Sequence, residues 1–224
     1  MFSAELRHAA ADLWDRQHAH PFVTGIGDGT LPADRFAHWV LQDHVFLVDY
    51  ARLLALGAAR APDLATMRRF AELTSGIVGE EMELHRALAA ELGVTQAQLD
   101  AEQPAPATAA YTDFLLRTAA LGDYAELAAA LLPCMWGYAE VGERLAARGR
   151  PGHPQYDAWI DTYAAPEFAA LAAWCRGLVD DLATGADAAL RSRMQRAFVT
   201  CSRHELAFWD MGWRLQRRGG DPTR

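Results

Sequence analysis

The sequence predicts an all-α protein built from about eight helices. Long segments rich in alanine and leucine carry apolar residues at every third or fourth position, which is the spacing of an amphipathic helix. Almost no segment alternates with the period of two that a strand requires. No repeat of fixed period and no long linker divides the chain. We therefore expect a single helical domain over residues 1–224, with residues 1–20 and 217–224 at its periphery.

Prolines and glycines set the expected ends of these helices. The first helix ends before Pro21, and Pro32 stands at the first-turn position of the second. Gly93 stops the third helix, whose middle contains two glycines that predict a bend. A proline-containing loop over residues 101–106 precedes the fourth, and Pro166 ends the short sixth. The helices are expected at about residues 2–20, 32–62, 64–92, 111–122, 123–148, 156–166, 167–183 and 186–216.

Charge and composition exclude several classes of partner. The formal net charge is −8, from 29 acidic residues against 21 basic ones, and every basic residue is arginine. Nucleic-acid phosphates and anionic membranes are both bound through clustered positive charge, so we expect neither partner. The first residues lack the apolar core of a signal peptide, and no apolar stretch approaches the roughly 18 residues of a membrane span. These features favour a soluble cytoplasmic protein.

Three cysteines are present, at positions 134, 175 and 201. They are too few and too scattered for a disulfide framework, and an odd number fits a reducing compartment. Cys134 follows Pro133, which is expected to kink the helix, and Tyr138 lies one turn later on the same face. This arrangement suits a pocket wall, although spacing alone favours a buried structural cysteine. Cys175 is interpreted as core, and Cys201 as a spare candidate thiol.

Two carboxylates fall on apolar helix faces. Glu205 shares a face with Phe208 and Trp209, so it is either a buried acid with a raised pKa, suited to proton transfer, or a surface residue at the helix margin. Asp43 lies on the face of Trp39 and Phe46, where an aspartate rarely stands unpaired. A buried partner for Asp43 is therefore expected.

In this order, these segments resemble the TenA/thiaminase II family, whose members have the haem-oxygenase-like helical fold. The resemblance covers nearly the whole chain. It implies hydrolysis of 4-amino-5-aminomethyl-2-methylpyrimidine, or of thiamin, to 4-amino-5-hydroxymethyl-2-methylpyrimidine for thiamin salvage, in a homotetramer without metal or cofactor. The segments that carry it are Leu41-Gln42-Asp43 with Phe46, Pro133-Cys134 with Trp136, Tyr138 and Glu140-Val141-Gly142-Glu143, Tyr163-Ala164-Ala165-Pro166-Glu167-Phe168, and Glu205 with Phe208-Trp209-Asp210-Met211.

The same resemblance implies a role for each matching residue. Cys134 would add to the pyrimidine ring as the nucleophile, and Glu205 would supply and retrieve protons. Asp43 would hydrogen-bond the amino edge of the ring and help to set the protonation of the thiol. The remaining substrate-binding residues would be aromatic: Phe46, Tyr111, Tyr138, Tyr163 and Phe208.

Two departures and two alternative functions remain open. Phe46 stands where many family members have a tyrosine, and Met135 replaces a common aromatic residue. Glu81 with His85 and the pair Glu140 and Glu143 could belong to a di-iron oxidase, although the Glu-x-x-His motif of such sites is missing. A binding or regulatory protein that keeps the pyrimidine pocket without turnover is the other alternative.

Overall fold

The computed structural model describes residues 1–218, apart from the side chain of Glu80. All regular structure in these residues is helical, which confirms the predicted all-α class. A π-helical turn, Ile77–Glu81, separates α5 from α6. The α-helices are α1 (Phe2–Ala9), α2 (Ala11–His18), α3 (Pro21–Asp28), α4 (Ala33–Arg60), α5 (Leu64–Gly76), α6 (Met82–Glu91), α7 (Gln96–Ala101), α8 (Pro106–Leu121), α9 (Tyr124–Arg148), α10 (Pro154–Tyr163), α11 (Pro166–Thr184) and α12 (Ala188–Arg214).

The chain divides into two compact units, which are described separately. The first contains residues 1–31 and 117–206, and the second contains residues 32–116 together with the chain from residue 207 onward. A single domain over the whole chain therefore stays a prediction. The same is true of the peripheral ends, of which residues 219–224 lie outside the described residues.

The first unit is organised around α9, which is buried along most of its length. Its start is fixed by Asp123, whose carboxylate accepts a hydrogen bond of 2.9 Å from the backbone N–H of Ala125. Helices α10 and α11 pack against α9, and α1 packs against α11. At the start of α1, the backbone N–H and the hydroxyl of Ser3 donate to the carboxylate of Asp180 on α11. These contacts hold α10 and α11 against α9, and α1 against α11.

The second unit is built on α4, the longest helix, with α5 and α6 packed along it. Gln42 on α4 is fully buried and joins this helix to the segment between α7 and α8. Its amide nitrogen donates to the carbonyl of Gln103, and its amide oxygen accepts from the N–H of Ala105 and the hydroxyl of Thr108. Because every polar atom of this buried amide is bonded, it anchors the start of α8 to α4, at the residue that precedes Asp43 in the sequence.

The described chain has more helices than the eight expected. The predicted first helix is broken at Ala10 into α1 and α2, and α3 begins at Pro21, where only a stop was expected. Proline is as suitable at the first turn of a helix as after the end of one, so either was possible. Helix α7 was missed, although Thr95 and Gln98 form a capping box at its start. The bend expected near Gly76 takes the form of the π-helical turn.

No helix within residues 1–218 is long and apolar enough to cross a membrane.

Candidate active site

The sequence-predicted site residues belong to both units. Cys134, Tyr138, Tyr163 and Glu205 lie in the first, whereas Asp43, Phe46, Tyr111 and Phe208 lie in the second. All of these side chains except Cys134 are buried. Each group is built below from its own helices.

Cys134 is the accessible cysteine of this chain. It is half-buried on α9, between the buried Pro133 and Met135, whereas Cys175 and Cys201 are buried. Helix α9 continues through Pro133 without interruption. Because a thiol must be reachable to act as a nucleophile, Cys134 is the one suited to chemistry.

Cys201 is unsuited to the role of spare nucleophile. Burial raises the pKa of its thiol well above the ordinary value, and the carboxylate of Glu205 one turn away raises it further. A thiol that resists ionisation inside the core is inert. Cys175, on α11, is core as predicted.

Tyr138 and Tyr163 meet in an aromatic cluster next to α9. Their ring centroids are 5.0 Å apart, and the ring of Trp159 lies 4.6 Å from that of Tyr163. Phe168 contacts Tyr163 edge-on at 5.2 Å. Such offset and edge-to-face contacts fix the orientation of each ring. Tyr163, at the end of α10, is thus held against α9, the helix that carries Cys134.

Gly142, one turn after Tyr138, is what allows this close approach. A β-carbon at position 142 would lie 2.5 Å from the carbonyl carbon of Tyr163 and 2.7 Å from the nitrogen of Ala164. The end of α10 therefore rests directly on the backbone of α9. Only glycine leaves the room for this contact.

Glu205 is buried in α12 with 1% of its surface exposed. The interpretation as a surface residue at the helix margin is therefore wrong. Its neighbours one turn to either side, Cys201 and Trp209, are also fully buried. A carboxyl group in such surroundings can hold or give up a proton at a fixed position, which is what a general acid and base requires.

Asp43 has the buried partner that its position predicted. The Nε2 atom of His85, on α6, lies 2.6 Å from Oδ2 of Asp43, and Nδ1 of the same ring lies 2.9 Å from the backbone oxygen of Glu81. Burial by itself lowers the pKa of His85, but the hydrogen bond and charge of Asp43, with the charge of Glu81, raise it to about 9. Burial raises the pKa of Glu81 to about 7.

Three further site residues form a second aromatic cluster, in the second unit. The ring of Phe46 lies 5.0 Å from that of Tyr111 and 5.6 Å from that of Phe208, and Tyr50 stacks on it at 5.4 Å. Phe46 is therefore central to this cluster. These flat, packed surfaces are of the kind that bind a heteroaromatic ring.

Sequence reasoning did not identify His85 as the partner of Asp43. Glu81 and His85 are four residues apart, so the sequence places both on one helix face. That spacing was interpreted only as part of a possible metal site. Among the described side chains of residues 1–218, no group of three histidine, cysteine, aspartate or glutamate residues could hold a metal ion.

Comparison with solved structures defines the fold class of the protein. A domain from Shewanella denitrificans described as having a heme oxygenase-like fold superposes with a TM-score of 0.76 at 15% identity, over 95% of this chain and 92% of that one. A TenA homologue from P. horikoshii superposes with a TM-score of 0.88 at 34% identity, over 96% of this chain and 99% of that one. The chain thus has the haem-oxygenase-like helical fold.

Within that class, the family is defined by sequence. The profile of the TENA/THI-4/PQQC family matches residues 7–215. A protein from Halalkalibacterium halodurans named aminopyrimidine aminohydrolase is 42% identical over 215 residues, which are 95% of each chain. This chain belongs to the TENA/THI-4/PQQC family.

Proposed function

We propose that this chain hydrolyses 4-amino-5-aminomethyl-2-methylpyrimidine to 4-amino-5-hydroxymethyl-2-methylpyrimidine and ammonia, in thiamin salvage. The observation that carries the proposal is the accessibility of Cys134. It is the half-buried cysteine of the three, and it stands one turn before a tyrosine that packs on Tyr163. The similarity to an aminopyrimidine aminohydrolase over nearly the full length supports the same chemistry.

Hydrolysis would begin with covalent addition to the ring. The sulfur of Cys134 forms a bond to a ring carbon, and the thiol proton passes to a ring nitrogen through Glu205. The ring is now electron-rich. An electron pair moves from the ring toward the side arm, and the bond between the side-arm carbon and its amine breaks. Glu205 supplies the proton with which the amine leaves as ammonia.

The second half restores the aromatic ring. Water adds to the exposed methylene carbon, and its proton returns to Glu205. The bond between carbon and sulfur then breaks, the sulfur keeps the electron pair, and the ring nitrogen returns its proton to the thiol. One water is consumed and one ammonia is released, so the enzyme ends in its starting state.

The buried residues would bind and orient the ring. Asp43 would accept a hydrogen bond from the 4-amino group, and Tyr138 and Tyr163 would orient the ring. The cluster of Phe46, Tyr111 and Phe208 would supply flat apolar surface. A nearby carboxylate tends to raise the pKa of a thiol, so the proton would move during attack rather than before it.

A comparison of two substrates tests this proposal. We expect the wild-type protein to release hydroxymethylpyrimidine from the aminomethylpyrimidine faster than from thiamin, by chromatographic assay. Equal or faster cleavage of thiamin would refute the salvage assignment. A protein that binds the pyrimidine but turns over neither compound would instead be the binding protein considered above. Tetrameric assembly and a cytoplasmic location remain predictions.

A further inference from the structure

The second unit contains a polar cluster in which the buried Asp43 and His85 meet the half-buried Glu81. Asp43 and His85 are each 4% exposed, and the ring of Trp39 lies 6.4 Å from that of His85. Charged groups are taken out of water only when they are paired and hydrogen-bonded. This cluster is therefore an organised arrangement rather than a chance contact.

The hydrogen bonds of His85 indicate the protonation of its two ring nitrogens. Nδ1 faces the backbone oxygen of Glu81 at 2.9 Å, and a carbonyl oxygen can only accept, so Nδ1 carries a hydrogen and donates it. Nε2 is then the atom that faces Asp43. The distance of 2.6 Å from Nε2 to Oδ2 is typical of a charge-assisted bond. With the pKa of His85 raised to about 9, the ring is a cation that donates in both directions at neutral pH.

This arrangement leaves the two oxygens of Asp43 in different situations. Oδ2 is occupied by the Nε2–H of His85. Among the described residues, no donor is hydrogen-bonded to Oδ1. Oδ1 can therefore accept a hydrogen bond from a ligand. The bond between Oδ2 and Nε2 of His85 fixes the orientation of the carboxylate.

We propose that His85 is a positioning residue that holds Asp43 as an oriented carboxylate, so that Oδ1 accepts a hydrogen bond from the 4-amino group of the substrate. The inference rests on the proposed function, because it names the aminopyrimidine as the ligand of Asp43. Glu81 contributes through its backbone oxygen, which accepts from Nδ1–H and fixes the orientation of the His85 ring. It is the last residue of the π-helical turn, a feature that often occurs at functional sites.

The consequence is selectivity for an amino group over an oxo group at ring position 4. An amino group donates to a carboxylate oxygen, whereas an oxo group presents lone pairs that the carboxylate repels. Without the hydrogen bond from Nε2 of His85 to Oδ2, the carboxylate of Asp43 could rotate, and Oδ1 would no longer be held in one direction. The discrimination between an amino and an oxo group would then weaken.

The test is binding of 4-amino-5-hydroxymethyl-2-methylpyrimidine, measured by calorimetry at pH 7 beside its 4-oxo analogue. We expect His85→Leu to weaken binding of the amino compound by about 10- to 100-fold, because the hydrogen bond from the 4-amino group to a charged carboxylate is lost when that carboxylate turns away. His85→Gln keeps an N–H near the position of Nε2 and should recover most of the affinity. His38→Leu is the matched control, because His38 is also a buried histidine of the second unit and bonds a backbone oxygen of Gln216.

Ligand discrimination separates positioning from a general structural role. Wild-type protein should bind the 4-amino compound at least about 10-fold more tightly than 5-hydroxymethyl-2-methylpyrimidin-4-one, because an amino group donates to Oδ1 and an oxo group cannot. His85→Leu should lose most of this preference, whereas His85→Gln should keep it, because its amide N–H can still hold Oδ2. If the Leu variant does not fold, His85→Asn, whose shorter amide cannot reach Oδ2, takes its place.

The outcomes distinguish the two proposals. Wild-type protein that neither binds nor turns over the pyrimidine would refute the proposed function. Wild-type protein that does both, with a His85→Leu variant that binds the 4-amino compound equally tightly, would refute the role of His85 alone. Binding of the amino and oxo compounds weakened by the same factor would also refute it, because a merely structural defect would not change the preference between them.

Discussion

Replacing Gly142 with alanine should push the end of α10 away from α9. The new β-carbon would lie 2.5 Å from the carbonyl carbon of Tyr163, whereas an ordinary contact begins at 3.4 Å. The backbone at Tyr163 must therefore move by the difference of about 0.9 Å, and overpacking of this kind costs about 1–3 kcal/mol of unfolding free energy. A displacement of about 1 Å in a site can lower activity by as much as 100-fold. We expect both effects in Gly142→Ala.

Urea unfolding and steady-state turnover measure the two effects. Gly177→Ala is the matched control, because Gly177 is an exposed glycine within α11 and a β-carbon there meets nothing within 4 Å. In that open helical position alanine should stabilise the protein by about 0.5–1 kcal/mol. If Gly142→Ala proved as stable and as active as Gly177→Ala, the direct contact between α10 and the backbone of α9 would be refuted.

Two further predictions follow from burial and charge. A thiol reagent should modify Cys134 in the folded protein at least about 100-fold faster than Cys175 or Cys201, because those two are buried. Mass spectrometry of the digested protein measures the three rates, and equally fast modification of Cys201 would contradict the prediction. The unfolding free energy should fall as the pH rises, because the folded state raises the pKa of both Glu81 and His85. Their contribution is complete below the ordinary values of 4.5 and 6.5, and is lost as the pH passes about 7 for Glu81 and about 9 for His85. Urea unfolding from pH 5 to 9 checks this, and His85→Gln should show a shallower fall above pH 6.5.

Helical periodicity was sufficient to predict the long helices. Helices α4, α9 and α12 bury one continuous side or nearly all sides, so their apolar spacing persists over many turns. The short helices α3 and α7 have too few turns for periodicity to appear. Their evidence lay in capping instead, in Pro21 at a first turn and in the reciprocal hydrogen bonds of Thr95 and Gln98.

Burial of the candidate site residues could be predicted only in part. A carboxylate on an apolar helix face indicated a buried, partnered Asp43 and left burial or a surface position open for Glu205, and both side chains are buried. The identity of the partner of Asp43 could not be read in the same way, because His85 is 42 residues away along the chain and meets it only through the packing of α6 on α4. The need for glycine at position 142 likewise arises from the approach of another helix.

The central claim is that Cys134 is the nucleophile of an aminopyrimidine hydrolase. Its most direct test is the rate at which Cys134→Ala releases hydroxymethylpyrimidine from saturating aminomethylpyrimidine, beside wild type and Cys175→Ala. Loss of a covalent nucleophile should lower this rate by about 1,000-fold or more while pyrimidine binding persists, and the Cys175 variant should stay active. Release by Cys134→Ala at the wild-type rate would contradict the claim.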